Sequence, residues 1–131
     1  MTMKIVMEKY HGCENDYLIW DPVKNRMQLD FKRVKAIHKG NLGFGCAGIL
    51  YGPIVDDKNS VFKVFDSKGR EDKPNGESIG IFLKYMRDAG YEPSNTIAFA
   101  EGKTFDQKQD NAYNIGFIIL NSEFVKELEI I

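Results

Sequence analysis

Residues Ser78–Ala89, SIGIFLKYMRDA, carry the pattern that most narrows the folds open to this chain. Ile79, Phe82, Leu83 and Met86 recur at helical spacing on one face, and Gly90 supplies a left-handed stop. A helix striped in this way has to bury its apolar side against a second layer. Strands for that layer are legible on either side of it. Lys4–Tyr10 and Tyr17–Trp20 read as strands around the turn His11–Asp16, with Ile49–Tyr51, Ser60–Asp66, Thr96–Ala100 and Asn114–Leu120 as further strands. Asp30 is placed to cap a second helix whose Phe31, Val34 and Ile37 share a face, with Gly40 as its stop. The tail Ser122–Ile131 fits either a strand or a short helix. The expected fold class is α+β, a curved and mostly antiparallel sheet around one or two helices.

Length and charge limit the functions to consider. A chain of 131 residues, 43% hydrophobic and 28% charged, is expected to form a single domain over residues 1–131. Its net charge of -1 gives no electrostatic case for nucleic acid or an anionic membrane, so neither is expected as a partner. Apolar runs such as Ile115–Leu120 are too short to span a bilayer, and the N-terminus lacks the apolar core of a signal peptide. Two cysteines, Cys13 and Cys46, make no disulfide framework, so a cytoplasmic protein is expected. His11 and His38 lack Cys or carboxylate partners at metal-ligand spacing, and no metal is expected. Cys46, beside Ala47, reads as a small packed residue rather than a reactive thiol.

Three motifs carry a resemblance to a known family. KYHGCENDYLIWD, Lys9–Asp21, is similar to the opening Lys-Met-His-Gly-Leu-Gly-Asn-Asp-Phe motif of diaminopimelate epimerases, with His11, Gly12, Asn15 and Asp16 identical. GFGCAGIL, Gly43–Leu50, resembles that family's Gly-Ile-Gly-Ala-Asp-Gly-Leu loop, matching at Gly43, Gly45 and Gly48. FDSKGREDKPNGESIGIFLKYMRDAG, Phe65–Gly90, lies without gaps on Phe-Asn-Ala-Asp-Gly-Ser-Glu, then Cys-Gly-Asn-Gly, then a helix ending in Gly. The resemblance implies the N-terminal half-barrel of a pyridoxal-independent amino-acid racemase, a curved sheet around a central helix, and no cofactor.

What it implies for chemistry is mostly loss. In the gapless register Asn75 stands at the family's catalytic Cys, Gly76 is retained, and Glu77 and Ser78 replace the following Asn and Gly. A two-residue shift puts Lys73 at the thiol position instead. Ala47 replaces the Asp of the glycine loop, and the half that supplies the opposing thiol is expected to be absent. Racemisation needs a base on one face of the α-carbon and an acid on the other, and a carboxamide is neither near neutral pH. Asn15, Asn75, Gly76, Glu77 and Ser78 are therefore expected to mark a vestigial substrate site, in which Asn15 is still able to meet a small molecule's carboxylate or amine. The free N–H groups at Asn75–Ser78 offer a place for an anion, with Glu77 positioned to satisfy the helix dipole instead. The expected function is protein binding by an inactive scaffold, the partner being a second copy or a foreign complex. A phage or mobile-element inhibitor of a host defence complex, such as a CRISPR effector, is one such role. Tyr17, Phe44, Cys46 and Pro74 are the candidate interface residues, Phe44 and Tyr17 as anchors. The alternatives are a racemase assembled as a homodimer and a small amino-acid binder.

Overall fold

Tyr17-Leu18-Ile19-Trp20 is a strand sequence without polar alternation, which is what a strand covered on both faces requires. The computed structural model describes residues 3–40, 45–56, 59–91 and 111–131. Among them β1 (Val6–His11), β2 (Asp16–Trp20), β3 (Cys46–Asp56), β4 (Asn59–Asp66), β5 (Glu71–Asp72) and β6 (Tyr113–Ile119) form one open sheet in the order β5-β4-β3-β2-β1-β6. Every pairing is antiparallel except β2 with β3, which are joined through α1 (Phe31–Lys39). A parallel pair needs such a crossover, because a tight hairpin reverses the chain. The expected α+β class holds, with a mixed, mostly antiparallel sheet.

Helices cover both faces. Ile79, Phe82, Tyr85 and Met86 of α2 (Gly76–Asp88) pack with Tyr10, Tyr17, Ile19, Leu50, Phe62 and Val64 on one side. On the other side, Val34 and Ile37 of α1 and Val125 and Leu128 of α3 (Ser122–Glu129) pack with Met7, Leu18, Trp20, Ile49 and Phe65. Alternate residues of β2 thus enter opposite cores. A sheet wrapped around α2 alone describes only half of this arrangement.

Several local expectations are refined. Asp30 does cap α1, its carboxylate accepting from the Arg33 N–H, and Gly40 closes it. Phe31, however, stays 55% exposed at the first turn, so only Val34 and Ile37 form the buried face. The tail is helical: Asn121 caps α3 through the Phe124 N–H at 2.8 Å. The strand at Ile49–Tyr51 extends over Cys46–Asp56. The strand expected at Thr96–Ala100 lies outside the described residues.

Candidate functional site

The start of α2 faces the β1–β2 turn, and these two segments bring most of the expected site residues together. Asn75 is the N-cap of α2. Its Oδ1 accepts from the Ser78 N–H at 2.8 Å, while Ser78 Oγ accepts from the Asn75 N–H at 2.9 Å. Ser78 is fully buried, and its hydroxyl also donates to the Asn75 carbonyl at 3.0 Å. Two of the N–H groups expected to be free for an anion are therefore satisfied inside a capping box.

Glu77, in the first turn of α2, reaches across to the β1–β2 turn. Its Oε2 accepts from the N–H of Glu14 at 2.6 Å and of Asn15 at 3.3 Å, and its Oε1 accepts from Asn15 Nδ2 at 2.8 Å. Burial by itself pushes the Glu77 carboxyl up. The Asn15 carboxamide and the N–H groups of Glu14, Asn15 and Cys13 outweigh that and hold it below the ordinary carboxylate value. Gly12 makes the approach possible: a Cβ there would lie 2.8 Å from Glu77 Cγ and 2.9 Å from Ile81 Cδ1. Beside the turn, His11 Nδ1 and Asp16 Oδ1 are 2.5 Å apart, and the His11 ring lies against that of Tyr113.

The remaining candidates disperse. Tyr17 is 5% exposed in the α2-side core, so it is not the surface anchor expected of it. Burial pushes its phenol up, and a hydrogen bond from the Asn75 side chain opposes that shift. Cys46 is half-buried against the opposite core, and burial pushes its thiol up. Pro74 is half-buried, and Phe44 lies outside the described residues. Among the described residues no three His, Cys, Asp or Glu side chains converge to hold a metal ion, and no helix is long and apolar enough to cross a membrane.

Asp21 was invisible as a site residue. Its carboxylate, 3% exposed, accepts from Tyr85 Oη at 2.5 Å, Tyr91 Oη at 2.6 Å and the Val23 N–H at 2.8 Å. Burial, then the bonds to Asp21, push both phenols far above their ordinary value, so they stay protonated donors. A cavity of about 380 Å³ opens beside it between Lys4, Glu8, Lys24 and Tyr85. The sequence signal was a turn composition at Asp21–Asn25, and partners 64 and 70 residues away leave no local trace.

An open α+β sheet, with a helix start docked on a hairpin turn, is the class of protein these features define. Sequence comparison then supplies the family. No family model matches the chain. It is similar to diaminopimelate epimerase 2 of Nostoc sp., 35% identical over 83 residues, covering 63% of this chain and 29% of that protein. It is likewise similar to the diaminopimelate epimerases of Azoarcus sp. (30% identical, covering 72% and 35%) and Nitrosospira multiformis (28% identical, covering 67% and 32%). Over the matched segment this chain is a distant homologue of diaminopimelate epimerases, and it spans about a third of the length of the curated relatives it matches.

Proposed function

We propose that this chain is a catalytically inactive relative of diaminopimelate epimerases that acts by binding another protein. The observation that carries the reading is the commitment of Asn75. In the gapless register it occupies the position for which the resemblance implies a thiol, and its carboxamide is engaged as a helix cap. It has no titratable base to offer an α-proton. Cys46 does not substitute, since its side chain packs against the core on the opposite face from α2. In this reading the open sheet is one half-barrel of a two-half fold.

Support for a protein partner comes from β6, the edge strand of the sheet among the described residues. Tyr113, Ile115, Phe117 and Ile119 are exposed at 53, 43, 64 and 51%. An edge strand presenting apolar side chains is a ready template for association. By analogy with small proteins carried by phages and mobile elements, the proposed partner is a component of a bacterial defence complex, CRISPR effectors included, met in the cytoplasm.

The test is α-carbon exchange in heavy water with diaminopimelate and common amino acids. No protein-dependent deuterium incorporation is expected. Incorporation that disappears in Cys46→Ala would replace this reading with a racemase assembled as a homodimer around that thiol.

A further inference from the structure

We infer that Glu77 is a built-in occupant of a carboxylate-binding turn, and that its side chain shuts the Cys13–Asn15 segment to free carboxylates. Two oxygens of one carboxylate meet three donors: the N–H groups of Glu14 and Asn15 on Oε2 and the Asn15 carboxamide on Oε1. Donors from both backbone and side chain converging on the two oxygens match the shape of a carboxylate and the charge of an anion. The turn is itself held in shape by the Gly12 N–H, which donates to the Asn15 carbonyl at 2.9 Å. Gly12 lacks the Cβ that would collide with Glu77 Cγ, so the space beside the donors admits the arm of this side chain.

The consequence is competition within one molecule. A carboxylate ligand reaches these donors only in the fraction of molecules where Glu77 has swung away. If Glu77 is seated about nine-tenths of the time or more, the apparent affinity for such a ligand falls at least about tenfold. Removing the side chain converts the turn from an internal latch to an open site for a small carboxylate such as acetate or an amino acid. This inference is independent of any protein partner: a failed pull-down bears on the proposed function, and the experiment below bears only on the turn.

The experiment is an amide-resolved NMR titration with sodium acetate, using sodium chloride at matched ionic strength as the control. In Glu77→Ala the Glu14 and Asn15 amides are expected to shift saturably with acetate and not with chloride. In the wild type the same amides should need at least about ten times more acetate. Equal saturation in both proteins overturns the inference, as does a folded Glu77→Ala protein whose amides ignore acetate. Shifts that follow chloride equally mean an adventitious ion only, and also overturn it. Should Glu77→Ala fail to fold, Glu77→Ser, which also removes the arm that reaches the turn, replaces it under the same criteria. A through-bond coupling between the Glu14 amide nitrogen and the Glu77 carboxylate carbon in the wild type provides the direct check. Its absence refutes the seated carboxylate.

Discussion

Asn75 and Ser78 exchange three hydrogen bonds at the entrance of α2, and the fully buried Ser78 has no access to water to replace them. Truncating Asn75 to Ala is expected to cost about 0.5–2 kcal/mol of stability, whereas Asn75→Asp, which keeps an acceptor, should stay near the wild type. Urea midpoints of the three proteins decide this, and equal midpoints for all three would remove the cap from the account. Glu77 gives the pH counterpart. Its carboxyl is held below the ordinary value in the folded chain, so its bonds contribute fully above the unfolded carboxylate range. That contribution is lost as pH falls through the depressed folded value. The stability gap between wild type and Glu77→Gln should therefore narrow on acidification, as read by denaturation at a series of pH values. At this scale the sequence was half legible. Asp30 announced its cap because a cap is a local pattern. Glu77 was legible as a vestigial-site position and a dipole partner, but its hold on the turn was not, because its donors at Glu14 and Asn15 are 63 and 62 residues away.

Helix α2 was the most legible element, since an amphipathic period is set by burial and survives in the sequence. Three of its four expected stripe residues are buried, and Leu83 sits half-buried at the margin. Ile81 and Tyr85 are buried as well, so the helix sinks a wider arc than the stripe suggested, and Tyr85 reaches Asp21 beneath it. Phe82 stacks on Phe62 with ring centroids 4.2 Å apart and is 1% exposed. Phe82→Ala is expected to cost about 3–5 kcal/mol, read by chemical denaturation, and a loss under about 1 kcal/mol would contradict its place in the core. The tail showed the opposite case. Ser122–Ile131 is short enough for its apolar spacing to fit two periods, and the Asn121 cap together with packing of Val125 and Leu128 selects the helix.

At the scale of the whole molecule, two-sided coverage of the sheet follows from β2. A run of four apolar residues marks a strand buried on both faces, and α1 and α3 are the elements that cover the second one. Among the described residues, β6 has no strand on its outer side in the sheet. Ile118 enters the core under α1 and α3, so its neighbours Phe117 and Ile119 turn to the face that carries α2 and remain exposed there. An exposed aromatic on an unpaired edge contributes little to folding, yet such residues are the usual anchors of protein interfaces. If the chain works through a partner held at this edge, Phe117→Ser separates binding from stability. Its folding free energy should stay within about 0.5 kcal/mol of the wild type. Loss of a true anchor should weaken partner binding by about 2 kcal/mol or more, roughly thirtyfold in Kd. Asn75→Ala, by contrast, should retain binding in proportion to the protein still folded. The measurement is affinity for the partner recovered by pull-down, with denaturation midpoints taken on the same samples. If Asn75→Ala abolishes binding in folded protein while Phe117→Ser leaves it intact, the α2 entrance is the working surface, and the small-molecule or active-site reading takes the place of the edge.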